Sequence, residues 1–245
     1  MIKAEKLTKD FGEVRAVDGV DFTANAGEVF GILGPNGAGK TTTLRMLATT
    51  LKPTAGTAAI AGVDILQEPE RVRSLVGVLT ASIGLYDRLT ARENIVYFGL
   101  LHGLHGLRLD EQTDNLIDLF GMRDYADRRT GRFSTGMKQK VALARAVVHD
   151  PPVLVFDEPT SGLDVIASLT ITEFIRRSAD AGKAVLLSTH NMTLAQKVCA
   201  RACIIHEGAV VIEETVQQIL ESTKAPLLED AFLALVGESA AKETA

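Results

Sequence analysis

The stretch EVFGILGPNGAGKTTTLRMLATTL, residues 28–51, constrains the fold more than any other part of the chain. An apolar run of strand length leads into a glycine-rich loop. The loop opens a helical segment in which Leu44, Leu47 and Leu51 recur at spacings of three and four. That strand–loop–helix context is what a GxxxxGK[ST] pattern needs in order to bind phosphate. The loop is formed by Gly34, Pro35, Asn36, Gly37, Ala38, Gly39, Lys40, Thr41 and Thr42. Its glycines allow positive φ, so successive N–H groups can turn toward phosphate oxygens, and the following helix offers its positive end to the same anion. Lys40 is placed to reach the β and γ phosphates, and the Thr41 hydroxyl to ligate Mg²⁺.

Two further apolar runs end in polar clusters. VLVF, 153–156, is followed by Asp157 and Glu158, and AVLLSTH, 184–190, ends in His190. Short continuous apolar runs read as buried parallel strands, and open α/β sheets place their chemistry at strand ends. Two adjacent acids there are costly without a cation, so Asp157 is expected to hold Mg²⁺ through water. Glu158 is then free to polarise an attacking water. A competing reading makes Glu158 only a cap of the turn DEPTSG.

A second anion site is expected at the start of the helix TGMKQKVALARAVV, where Ser134 stands as cap and Gly136 follows in the first turn. The run FSTGMKQK, 133–140, leads within twenty residues into VLVFDEPTSGLD, 153–164. These segments resemble the signature and Walker B segments of ATP-binding cassette (ABC) ATPases, and the family's motifs occur in its usual order along nearly the whole chain. GLYDRLTARENI and FSTGMKQKVALARA are most similar to the exporter branch that includes sodium-extruding ATPases.

The resemblance implies an α/β fold: a P-loop NTPase (RecA-like) core with an N-terminal antiparallel β subdomain and an inserted α-helical subdomain. It implies ATP and Mg²⁺ as cofactors and ATP hydrolysis that powers a separate transmembrane permease, with export of Na⁺ or drugs as the direction. The subunits would pair head to tail as a homodimer, one subunit's signature covering ATP on the other's phosphate loop, with Asp164 at the crossing. His190 would contact the γ-phosphate and organise the water with Glu158. Phe11, outside any apolar run, would stack on adenine. Phe133, Thr135 and Met137 replace the usual Leu, first Gly and Gln of the signature, while Ser134 and the second glycine, Gly136, remain. Relatives usually carry a glutamine about where Ala81 stands. Alanine cannot contact a metal, so the coupling segment is expected to work through packing or a water, with Ser82 as a weak substitute.

Composition fits this reading. At 245 residues and 46% hydrophobic, the chain can bury a full α/β core. A net charge of −5 argues against nucleic acid as the partner. Cys199 and Cys203, four apart with no further Cys, read as inert thiols that share a helical face or straddle a helix end. His102 and His105 read as helix-end residues and not as metal ligands. The charged start MIKAEKLTKDFGE is no signal peptide, and no apolar run is long enough to span a bilayer. The expected location is cytoplasmic, peripheral on the membrane through a partner.

The nucleotide-binding domain is expected over residues 1–225, with short strands and turns before the phosphate loop and a helical block at about 84–149. Thr90 to Glu93 has capping-box spacing, a second helix is expected over Asp110 to Phe120 with Gly121 ending it, and Glu207-Gly208 fits a hairpin turn. Residues 226–245 are read as a C-terminal amphipathic helix and a flexible tail. Two rival functions fit the sequence less well. A soluble mechanoenzyme acting on nucleic acid or the ribosome would carry long coiled-coil, zinc-binding or basic insertions, or a second cassette. A small-molecule kinase would leave FSTGMKQK and SGLD unexplained.

Overall fold

The computed structural model describes residues 1–80 and 84–243, with side chains to residue 237. Ala81 and Ser82 therefore lie outside the described residues. The chain opens with two long strands, β1 (Ile2–Phe11) and β2 (Val14–Ala24), and not with the short strands expected. They pair antiparallel, with register shifts that let ten and eleven residues stay in one ribbon. After β3 (Val29–Leu33) and α1 (Lys40–Leu47), strands β4 (Ala55–Ile60) and β5 (Val63–Asp64) complete a four-stranded sheet in the order β2-β1-β4-β5. Helix α2 (Pro69–Leu75), with Pro69 in its first turn, leads to β6 (Val76–Leu79).

The block that follows is helical, as its patterning predicts: α3 (Ala91–Leu101), α4 (Gly106–Leu119) and α5 (Thr135–Val147). Thr90 caps α3 in a full capping box, its Oγ1 accepting from Glu93 N at 3.1 Å while Glu93 Oε2 accepts from Thr90 N at 2.7 Å. Thr90→Ala is expected to cost about 1 kcal/mol, read in a thermal melt as a fall of roughly 2–4 °C for a chain of this size. The helix α4 starts four residues earlier than expected, because Leu109 packs where α3 has no side chain. A Cβ on Gly99 would stand 2.3 Å from Leu109 Cδ1. Gly121 ends α4 as predicted, with φ +61, and the buried Met122 returns its N–H to Ile117 O at 2.8 Å.

The core then resumes with β7 (Val153–Asp157), α6 (Val165–Asp180), β8 (Ala184–Thr189), α7 (Met192–Val198), β9 (Arg201–His206) and β10 (Ala209–Thr215). The β9–β10 turn is the predicted Glu207-Gly208 pair, with φ +47 and +85. Helices α8 (Val216–Thr223) and α9 (Leu228–Glu243) close the chain. The helix α9 runs through most of the segment expected as a flexible tail, which is rich in the helix formers Ala, Glu and Lys. Leu228 and Ala231 anchor its start, both fully buried.

The second sheet has the order β10-β9-β3-β8-β7-β6, parallel except for β10. Its strands are apolar on both faces and alternate between two cores. Val29, Leu33, Leu154, Phe156, Val185 and Leu187 share one core with residues of α5, α6 and α7. Phe30, Ile32, Val153, Val155, Ala184 and Leu186 face α1 and the N-terminal sheet. Burial of this double-sided kind fixes register, since a slip of one residue would exchange the two cores. Leu33 is thus opposite Thr189, and Asp157 opposite Ser188. The loops after β3, β7 and β8 leave the sheet at one level.

His102 and His105 take the helix-end positions expected of them, at the end of α3 and the start of α4. The His102 ring stacks on His149 with centroids 3.6 Å apart. Burial, with the neighbouring His102, holds the His149 ring down at about 4. A base whose folded pKa is depressed contributes stability that is full above its unfolded value, 6.5, and lost as pH falls toward 4. The melting temperature of wild type is therefore expected to fall more steeply between pH 6.5 and 4 than that of His149→Gln. Equal slopes would remove His149 from the acid sensitivity.

Candidate functional site

Helix α1 begins on a glycine and has no side-chain cap. Gly39 stands at its N-cap with φ +100, and no acidic residue lies in the first turn, so the first N–H groups are left for an anion. Close packing fixes the loop: a Cβ on Gly34 would lie 2.2 Å from Ile205 O, and one on Gly39 2.5 Å from Ala16 O. Lys40 is buried, and its ammonium donates to Gly34 O at 2.8 Å and Pro35 O at 2.9 Å. Burial lowers its pKa, while Glu158 and Asp157 oppose the shift. Ala16, Asn36, Gly37, Thr41, Thr42 and Glu158 line the cleft around it. Pro35 borders a neighbouring cavity with His190. Ala38 is buried inside the turn.

The sheet register delivers the other groups to this cleft. Thr41 Oγ1 donates to Asp157 Oδ2 at 2.9 Å, and Ser188 Oγ donates to Oδ1 at 2.5 Å. Asp157 is 4% exposed, so a hydroxyl and a carboxylate meet in a nearly dry position beside the phosphate loop. Hard oxygen donors of this kind fit Mg²⁺, which prefers few protein ligands with water completing its shell. Glu158 takes φ +49, rare for a residue with a side chain, and its N–H donates to Ser188 O at 3.0 Å. Its Oε2 accepts from Thr189 Oγ1 at 3.0 Å, and its Oε1 accepts from His190 N at 2.9 Å. His190 Nδ1 lies 2.7 Å from the same Oε1. Since a carboxylate only accepts, Nδ1 carries the proton of this contact. Glu158 is held by three contacts to the β8 end, far more than a turn cap requires.

The remaining predicted residues form a separate group. Ser134 caps α5, its Oγ accepting from Met137 N at 3.3 Å, and Asp164 caps α6, its Oδ1 accepting from Ala167 N at 2.8 Å. Gly136 brings the two helix starts together: a Cβ there would stand 3.3 Å from Ala167 Cβ and 3.7 Å from Asp164 Oδ2. Among the described residues, no hydrogen bond joins this group to the cleft around Lys40. Phe11 is also apart from the cleft lining. It ends β1 51% exposed, with the Lys9 ammonium 5.3 Å from its ring centroid.

Ser188 and Thr189 carry the two carboxylates, and sequence reasoning gave them no role beyond standing before His190. Their signal was two hydroxyls ending a buried strand. Gln139 was also missed. It is buried in α5 and donates to Pro159 O at 2.9 Å, tying the signature helix to the residue after Glu158. The cysteines share no helical face: Cys199 is the residue just past α7 and Cys203 lies in β9, both buried, and burial pushes the Cys199 thiol up to about 12. Among the described residues no cluster of three metal-binding side chains occurs, and no helix is long and apolar enough to cross a membrane.

Residues 17–161, more than half of the chain, match the family model described as ABC transporter. The chain is 45% identical to the ABC transporter ATP-binding protein NatA of Bacillus subtilis over 221 residues, 90% of each protein. It is 40% identical to the daunorubicin/doxorubicin resistance ATP-binding protein DrrA of Streptomyces peucetius, over 90% of this chain and 67% of that one. A solved ATP-binding subunit of an ABC transporter superposes with a TM-score of 0.89 at 27% identity, covering 96% of this chain and 99% of that one. A dimeric post-hydrolysis structure of the ATP-binding cassette MJ0796, bound to ADP and Pi, superposes with a TM-score of 0.81 at 26% identity, covering 88% and 99%.

Proposed function

This chain belongs to the ABC transporter family, as an ATP-binding and ATP-hydrolysing subunit, and on that premise we propose how its residues divide the work and what they drive. Lys40 and backbone N–H groups of residues 36–42 hold the β and γ phosphates of ATP. On binding, the lysine exchanges its loop carbonyls for phosphate oxygens. Thr41 and Asp157 hold Mg²⁺, which supplies charge neutralisation at the phosphates. Glu158 orients and deprotonates the attacking water, and His190 keeps the carboxylate in place while turning Nε2 toward the γ-phosphate. Phe11 stacks on adenine from the turn end of the β1–β2 hairpin. Ser134 and Gly136, at the uncovered start of α5, close over ATP held by a second copy of the chain, with Asp164 at the crossing.

The observation that carries this reading is the array at one sheet edge. A metal-type pair, Thr41 and Asp157, adjoins a base-type pair, Glu158 and His190, beside a phosphate loop. The work is export through a separate transmembrane subunit on whose cytoplasmic face this subunit sits. The sequence resemblance suggests Na⁺ as cargo, and the relative DrrA, a daunorubicin/doxorubicin resistance protein, suggests a drug. Tagged Glu158→Gln, purified from native membranes with MgATP, tests the proposal. A stoichiometric multi-span protein among the co-purifying chains is expected. Ribosomal or nucleic-acid factors without a membrane protein would overturn it.

A further inference from the structure

The buried residues of α5 are Val141, Ala142, Leu143, Ala144, Ala146, Val147 and one amide, Gln139, which is 5% exposed. An amide taken out of water costs free energy unless it is hydrogen-bonded, so a buried glutamine needs a reason that helix formation does not supply. Its Nε2 donates to Pro159 O at 2.9 Å, and Pro159 is buried as well. The acceptor is the next carbonyl along the chain after that of Glu158.

Glu158 sits where a residue with a side chain rarely stays, at φ +49. Such a conformation persists only where the surroundings over-determine it. The end of β8 supplies the contacts to Glu158 itself, through Ser188 O, Thr189 Oγ1 and His190. Beyond Glu158 the chain turns back, Ser161 N donating to Glu158 O at 3.1 Å. Pro159 lies inside that turn, and Gln139 holds its carbonyl from a different element, the helix that Ser134 caps. The same helix meets the far end of the loop, where a Cβ on Gly136 would stand 3.3 Å from Ala167 Cβ. The segment after β7 is thus pinned at its start by β8 and along its turn by α5.

We propose that Gln139 is a positioning residue for ATP hydrolysis: its amide fixes the turn at Pro159 and, through that turn, the carboxylate of Glu158. Gln139 is not part of the cleft lining around Lys40, so it acts through Glu158 and not on the nucleotide. Without the donor a buried carbonyl loses its partner, and the turn can recover a hydrogen bond only by moving toward water. Glu158 shares the turn, so its two oxygens leave their places beside His190 and Thr189. A displacement of about 1 Å at a reacting group costs on the order of 10²-fold in rate. Lys40, Thr41 and Asp157 are held by other contacts, so nucleotide and metal binding are spared. The inference rests on the reading of Glu158 as general base.

The test uses the full chain with Gln139→Met, whose side chain is of similar length and favours helix but has no donor. Single-turnover phosphate release from MgATP is expected to slow at least about tenfold, with ATP affinity within about threefold of wild type. A thermal melt checks that the variant is folded at the assay temperature. In a Glu158→Gln background the same substitution should slow release no further, because two residues that act through one carboxylate are not additive. Gln139→Lys returns an N–H donor on a stem of similar reach and should recover at least about threefold over Gln139→Met. The ring-nitrogen NMR signals of His190, identified by their loss in His190→Gln, report the carboxylate directly and should shift in Gln139→Met. A wild-type rate in Gln139→Met, an equal loss in the Glu158→Gln background, or a slowed rate with the His190 signals unmoved overturns the inference. A parallel loss of ATP affinity does the same, because it assigns Gln139 to the loop at large. If Glu158→Gln itself keeps the wild-type rate, the base reading falls, and the His190 signals still decide whether Gln139 places the carboxylate.

Discussion

Glu158→Gln is expected to lower steady-state ATP hydrolysis by about 10²–10⁴-fold, the range for loss of a general base, and to leave ATP affinity within about threefold of wild type. The amide is nearly isosteric, and its oxygen can still accept from His190 N and Nδ1, which lie 2.9 and 2.7 Å from Glu158 Oε1. What is lost is the ability to take a proton from water. In the proposed division of work, phosphate and metal binding fall to Lys40, Thr41 and Asp157, whose contacts to Gly34 O and to each other do not involve Glu158, so binding should survive. The backbone adds a second reason for a selective effect. Glu158 holds φ +49 because its N–H is fixed to Ser188 O and its carboxylate to the end of β8, so Gln inherits the same turn. Phosphate release at saturating MgATP, measured beside equilibrium nucleotide binding, separates the two quantities. A rate within threefold of wild type, or a parallel loss of affinity, would remove the base role from Glu158.

The sequence disclosed those parts of the site whose chemistry is contiguous along the chain. Residues 34–42 form one loop, and Asp157-Glu158 adjoin at one strand end, so residue type and local context suffice. The capping box at Thr90 and the hairpin at Glu207-Gly208 were legible for the same reason. What could not be read is set by register between strands far apart in sequence. That Ser188 pairs with Asp157, and Thr189 with Glu158, follows from β7 and β8 lying parallel with Asp157 opposite Ser188. Nothing local to AVLLSTH fixes that alignment. Gln139 was illegible because its partner is a backbone carbonyl twenty residues away, and any helix accommodates a glutamine. The early start of α4 depends on Leu109 filling the space above Gly99, a tertiary contact. The length of β1 and β2 depends on bulges that absorb poor alternation.

Within the phosphate loop, Gly34→Ala is expected to be the most damaging single-methyl substitution. A Cβ at Gly34 would meet Ile205 O at 2.2 Å, and that carbonyl belongs to a fully buried residue of β9, itself paired with β3 and β10. Neither backbone can yield without breaking the sheet, and φ +154 is a conformation that a residue with a side chain rarely adopts. Backbone strain of about 1–3 kcal/mol and overpacking of about 1–3 kcal/mol act together, equivalent to a fall of roughly 5–15 °C in melting temperature. Function should suffer beyond stability, because Gly34 O is one of the two carbonyls that position Lys40. If the loop shifts to relieve the clash, the lysine and the N–H groups shift with it, and ATP affinity should fall at least tenfold, about 1.4 kcal/mol. Gly37→Ala provides the contrast: its φ is +86, but a Cβ there has nothing within 4 Å, so it bears conformational strain without a clash. Thermal melts and ATP titrations of the two variants should rank Gly34→Ala well below Gly37→Ala. Equal behaviour would mean that the contact with Ile205 does not hold the loop, and the shape of the phosphate site would need another cause.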